Sequence, residues 1–174
     1  MNIAIFCSAN DLAEKYTKPV MEFCEMCAKN GYDLVWGGSD TGMMKLVADT
    51  FKQNGRKIIG VSIPAFDHVQ KDGADEMIRA GDLCERKTTM LDRSDAIVIL
   101  VGGLGTLDEL METLELKKHQ SHEKPVVVLN TNGFYDHLKK QLELMKAEGM
   151  IIKELNQFLE FANTPSEAYS LITK

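Results

Sequence analysis

Five short apolar runs, NIAIFC, YDLVWGG, RKIIGVSIP, DAIVILVGG and KPVVVLN, recur along the chain, most of them followed by a stretch of helical periodicity. Val- and Ile-rich runs without polar alternation predict strands buried on both faces, and such strands belong to parallel sheets covered by helices. The expected fold is therefore α/β, a doubly wound parallel sheet with helices on both faces. The helical stretches are DLAEKYTKPVMEFCEMCAKNG, TGMMKLVADTFKQNG, LCERKTTMLDRS, TLDELMETLELKKH and GFYDHLKKQLELMKAEG, the first two stopped at Gly31 and Gly55. The tail NQFLEFANTPSEAYSLITK predicts a last short strand and a helix begun at Thr164-Pro165-Ser166. Only AFDHVQKDGADEMIRAGD lacks a clear period, and it is expected as a loop over the rim of the sheet. The 174 residues fit one domain, 1–174.

The net charge of -6 argues against a general phosphate-backbone binder, which gathers Lys and Arg, so no nucleic-acid partner is expected. No stretch approaches the ~20 apolar residues of a membrane span. MNIAIFCSAN has neither the basic start nor the long apolar run of a signal peptide, so the expected location is cytoplasmic. Cys24 and Cys27 form a C-x-x-C late inside an amphipathic run, where two small apolar residues on a packed helix are the simpler reading. His119 and His122 lie in KKHQSHEKP, read as a polar connection without partners, and no metal is assigned.

In folds of this class ligands sit beyond the carboxyl ends of the strands. Three marked turns fall there: CSAND, WGGSDTG and VGGLGTLDE. None is the dinucleotide fingerprint, because SANDLAEKY has no glycine and GLGTLD lacks the third one. Nor is Gly37 to Gly42 the ATP loop, since Met43-Met44 follows where lysine and a hydroxyl belong. What remains is a helix N-terminus fronted by Gly102, Gly103 and Gly105, whose amides and dipole favour an anion. Gly37-Gly38-Ser39 through Gly42 offers a second such turn. Thr106-Leu107-Asp108-Glu109 matches the capping box T-x-x-E, which gives Glu109 a purely structural reading. Leu104, Leu107, Leu110, Met111 and Leu114 read as the buried stripe of the same helix. Arg86 and Lys87, beside Glu85, read on their own as a solvated helix face.

The stretch ERKTTMLDRSDAIVILVGGLGTLDE, with its spacing from Arg86 to Glu109, resembles the LOG family of cytokinin riboside 5′-monophosphate phosphoribohydrolases, often misnamed lysine decarboxylases. The family signature Pro-Gly-Gly-x-Gly-Thr-x-x-Glu corresponds to Val101 through Glu109, and its Arg-Lys pair to Arg86-Lys87. FCSAN, VWGGSDTGMMKLVAD, IIGVSIP, HEKPVVVLN and GFYDHLKKQLELMKAEGMI extend the likeness over nearly the whole chain. The resemblance implies a Rossmann-like sheet and hydrolysis of the N-glycosidic bond of a nucleoside 5′-monophosphate, with AMP or an N6-modified AMP as substrate. It also implies a homodimer and no cofactor. It puts Glu109 at the anomeric carbon, Arg86 on the substrate or the departing base, and Lys87 at phosphate or ribose. Ser8, Gly37, Gly38, Ser39, Gly42, Gly102, Gly103, Gly105 and Thr106 are then the turns around the nucleotide.

Several positions depart from the family pattern. Val101 stands where the signature has proline, and Ser8-Ala9-Asn10 where the family has Gly-Ser-Ser. Asp40 puts a carboxylate in the second anion turn, and Glu115 occupies a position where members tend to have a threonine near the ligand. A second function therefore stays open, a non-catalytic carrier of nucleotide or molybdenum cofactor on the same fold. Decarboxylation of lysine is a third and weaker reading, because it needs a pyridoxal Schiff-base lysine and nothing in the sequence marks one.

Overall fold

A computed structural model describes residues 1–173. The strands are β1 (Asn2–Phe6), β2 (Asp33–Trp36), β3 (Ile58–Ser62), β4 (Glu76–Arg79), β5 (Ala96–Ile99), β6 (Val126–Leu129) and β7 (Glu160–Ala162). The helices are α1 (Glu14–Lys29), α2 (Gly42–Gln53), α3 (Leu83–Asp92), α4 (Leu104–Lys118), α5 (Asp136–Ala147) and α6 (Pro165–Ile172). The strands form one parallel sheet in the order β4-β3-β2-β1-β5-β6-β7. The order reverses beside β1, so the β1 and β5 ends part to leave the crevice in which such sheets bind ligands.

The side-chain period of two divides the core into two layers. Ile3, Ile5, Leu34, Trp36, Val98 and Leu129 face α1, α2 and α6 on one side of the sheet. Ala4, Phe6, Val35, Val61, Ile97, Ile99 and Val128 face α3, α4 and α5 on the other. The doubly wound expectation holds. Cys24 and Cys27 are fully buried in the first layer, as their reading as packed apolar residues requires.

The segment expected as a rim loop is a correction. It holds all but the first residue of a 3-10 turn, Pro64–Val69, and the edge strand β4. Only Met77 and Ile78 are apolar in β4, between Glu76 and Arg79, so an edge strand guarded by charge leaves no apolar run to detect. Glu76 pairs with Arg93 at 2.5 Å and ties this edge to the end of α3.

Helix α1 carries Pro19 in its interior. Proline has no N–H for the carbonyl four residues back, which is that of Lys15. Asn132, at φ 54°, donates its side-chain amide to that carbonyl at 2.6 Å. A distant turn thereby supplies the hydrogen bond the helix lacks. Among the described residues, no helix is long and apolar enough to cross a membrane.

Candidate active site

A cleft of about 610 Å³ opens at the carboxyl ends of β1 and β2, between α3, α4 and the 3-10 turn. Nine of the residues singled out in the sequence line it: Ser8, Gly37, Ser39, Arg86, Lys87, Gly103, Gly105, Thr106 and Glu109. Gly38, Gly42 and Gly102 do not line it, and each instead lets other atoms approach its backbone. A Cβ on Gly42 would stand 2.4 Å from the Ala9 carbonyl oxygen, and one on Gly102 would stand 2.1 Å from Thr106 Oγ1. Gly38 has φ +78°, a left-handed conformation glycine adopts without strain.

Helix α4 begins two residues earlier than the sequence pattern suggested. Its cap is Gly103, with no side-chain cap hydrogen bond. Thr106 therefore lies inside the first turn rather than at its mouth, and the capping-box reading of Glu109 is overturned. True side-chain caps occur on α3, where Asp82 accepts from the Glu85 N–H, and on α6, where Thr164 accepts from that of Glu167. With no such cap, the first amides of α4 precede the helix's own hydrogen-bond ladder and stand at the cleft where Gly103, Gly105 and Thr106 line it.

The leucine stripe also needs correction. Leu110 is buried and Leu107 and Leu114 pack against the same core layer, but Leu104 is 86% exposed and Met111 is on the surface. The buried face of α4 is Thr106, Glu109, Leu110 and Thr113, so the helix turns polar groups toward the strand ends. Glu115, expected near the ligand, lies outside the cleft and pairs with Lys118 and His119. His119 thus has a partner, and so does His122, which is buried with Nε2 3.0 Å from the Thr113 carbonyl. The reading of these histidines as unpartnered does not hold.

Arg86 is buried rather than solvated. Its Nε donates to the Val61 carbonyl at 2.8 Å, Nη2 to the Gly37 carbonyl at 3.2 Å, and Nη1 to Glu109 Oε1 at 3.1 Å. The ring of Phe66 sits 5.9 Å from its guanidinium carbon. Arg86 thereby joins β2, β3, α3 and α4 at one point. Burial raises the pKa of Glu109 to about 7, although the Arg86 charge and hydrogen bond pull it down. Such a carboxylate exchanges its proton near neutral pH, which suits acid–base work. Cys7 lines the same cleft, but burial and the nearby Glu109 push its thiol pKa up, so it stays protonated.

The second anion turn works differently from its expected role. The first amides of α2 are taken by the chain itself, with Met43 N–H donating to Asn10 O and Met44 N–H to Ser8 O. Ser8 Oγ accepts from Asn10 N–H at 3.0 Å, which fixes the loop after β1. Asp40 presents no free charge, because Lys71 and Lys45 meet it at 2.6 and 3.0 Å and lower its pKa. Val101, in the signature's proline position, is buried and accepts from Ser8 N–H. Lys87 holds Asp108 at 2.8 Å and also contacts Glu112.

Sequence reasoning missed the apolar wall of the cleft: Met44, Phe66, Val69 and Leu83. Phe66 and Val69 come from the segment without a period, and an aromatic two residues after Pro64 at a strand exit was the only available hint. Among the described residues, no group of three or more His, Cys, Asp or Glu side chains could hold a metal ion.

The family profile described as "Possible lysine decarboxylase" matches residues 44–172. The chain is 32% identical over 168 residues to cytokinin riboside 5′-monophosphate phosphoribohydrolase LOG of Oryza sativa, covering 95% of this chain and 69% of that one. It is 33% identical over 172 residues to the probable cytokinin riboside 5′-monophosphate phosphoribohydrolase LOG6 of Arabidopsis thaliana, covering 97% and 85%. Among solved structures, the molybdenum cofactor binding protein of Rippkaea orientalis superposes with a TM-score of 0.75 at 23% identity, covering 99% of this chain and 94% of that one. At that identity the likeness is one of fold.

Proposed function

The chain belongs to the LOG family, whose profile carries the description possible lysine decarboxylase, and from that premise we propose that it hydrolyses the N-glycosidic bond of a nucleoside 5′-monophosphate. The products are a free base and ribose 5-phosphate, with AMP or an N6-modified AMP as the first substrates to try. The observation that carries this reading is the buried Arg86–Glu109 pair beside the uncapped start of α4.

The open amides of α4 meet the phosphate, where they and the helix dipole favour negative charge. Glu109, one turn further in, faces the sugar. As the glycosidic bond breaks, positive charge develops on the anomeric carbon, and an ionised carboxylate stabilises it. The same carboxylate orients the attacking water and accepts its proton. Arg86 spends its hydrogen bonds on Val61, Gly37 and Glu109, so it fixes the carboxylate in this geometry. The apolar wall of Met44, Phe66, Val69 and Leu83 suits a flat base.

Lysine decarboxylation fits these residues poorly. A Schiff-base lysine must lose its proton, and the lysine that lines the cleft is Lys87. Burial opposes its charge, yet the hydrogen bonds it gives Asp108 and Glu112 prevail and raise its pKa.

A second copy of the chain is the partner we propose for an apolar groove behind α4. The groove is lined by Met111, Leu114, Met145, Met150, Ile152 and Phe158, with Glu115, Lys118 and Lys153 among its polar neighbours. A surface carrying both signs of charge around an apolar centre can pair with itself about a twofold axis.

The deciding experiment incubates pure protein with a panel of nucleoside 5′-monophosphates and assays free base and ribose 5-phosphate. Release of both from at least one monophosphate supports the hydrolase. Binding across the panel without release replaces it with the carrier reading.

A further inference from the structure

Lys87 lines the cleft, and the family resemblance assigns it to phosphate or ribose, but its ammonium is already engaged. Its side chain is 11% exposed, and Nζ lies between Asp108 and Glu112 on α4. These two acids flank Glu109 one residue before and three residues after it, so α4 carries three carboxyl groups within two turns. Glu112 lies outside the cleft lining, which ties the lysine to the helix rather than to the ligand space.

Resting on the hydrolase reading, we propose that Lys87 is a positioning residue that balances the acidic face of α4 so that Glu109 can carry negative charge in the cleft, rather than a group that grips the ligand. With Glu109 ionised, Arg86 and Lys87 oppose three carboxylates. Without Lys87 a single guanidinium opposes the same three. The charge of Lys87 lowers the pKa of Glu109 while that of Asp108 raises it, both behind the larger influences of burial and Arg86. The remaining titratable neighbours are Cys7 just after β1 and Tyr135 just before α5, and burial keeps both protonated. Beyond burial, the charges that bear on Glu109 are therefore those of Arg86, Asp108 and Lys87, while Glu112 meets Lys87.

The test follows the Glu109 carboxyl by carbon NMR of glutamate-labelled protein, assigned with Glu109→Gln, alongside the pH dependence of kcat/KM. Lys87→Met should move the titration midpoint and the acid limb of the rate profile upward by about half a pH unit or more, the effect of one lost neighbouring charge. Lys87→Arg, which keeps the charge, should return both toward wild type. Asp108→Asn should move the midpoint the other way. An unmoved midpoint in Lys87→Met would overturn the proposal, as would a tenfold rise in KM with no movement of the acid limb, which is the mark of a ligand contact. If no monophosphate is hydrolysed, the enzyme reading fails, yet the NMR midpoints still decide what Lys87 does.

Discussion

Gly37 lies so close to Arg86 that a methyl group on its α-carbon would stand 2.1 Å from Arg86 Nη2. The glycine in this turn makes room for a guanidinium rather than for a phosphate. Gly37→Ala should therefore displace Arg86 and loosen Glu109. The expected result is a loss of kcat of at least about tenfold, since small misplacements of a catalytic group are costly. Circular dichroism should show a preserved fold. Unchanged kcat would mean that Arg86 need not sit where it does.

Glu109 itself sets the second prediction. Its folded-state pKa is near 7 because burial disfavours the charged form, and the proposed chemistry needs that charged form. Below the pKa the carboxyl is neutral and inactive, and above it the carboxylate predominates. The rate constant kcat/KM should accordingly rise with pH through about 7 and then level. Glu109→Gln should keep nucleotide binding, measured calorimetrically, and lower turnover by at least ~10²-fold. Full turnover in this variant would remove Glu109 from the mechanism.

The third prediction concerns the wall that carries Phe66. Lys71, with a side chain 8% exposed, reaches Asp40 and Asp49, both at 2.6 Å. Its N–H also donates to the Gly38 carbonyl, and Asp40 N–H donates to that of Val69. The lysine thus fastens the end of the 3-10 turn over the cleft. Lys71→Met should cost about 1.5–3 kcal/mol in urea unfolding, the range for lost hydrogen bonds to charged groups. It should raise KM more than it lowers kcat. A change confined to kcat would show that the turn acts on the chemistry rather than on binding.

A fourth prediction tests the paired chain. Ile152 is 88% exposed and Met150 is 71% exposed at the groove behind α4. Light scattering should give twice the chain mass for the wild type. Ile152→Glu with Met150→Glu should give the mass of one chain and leave far-UV dichroism unchanged. A wild type that scatters as a single chain would retire the interface.

The strands with long Val and Ile runs were legible because burial on both faces removes polar alternation. β4 was not legible, because an edge strand needs little apolar surface and Glu76 and Arg79 hide what there is. The start of α4 was misjudged because Thr106 and Glu109 have the spacing of a cap while the backbone turns helical at Leu104, ahead of them. The family likeness singled out Arg86 and Glu109, but not that they meet, because their contact depends on how α3 and α4 approach over the sheet. The wall of Phe66 and Val69 was invisible for a related reason. Short turns have no period, and which side chains they swing over a cleft is decided by anchors such as Lys71.

The bond from Asn132 to the carbonyl that Pro19 leaves open spans 117 residues of chain. A ribosome therefore releases the first helix long before it makes the asparagine that finishes it. Through that interval water must serve the Lys15 carbonyl. Helix α1 reaches its final hydrogen bonding only after the chain has grown 117 residues beyond Lys15.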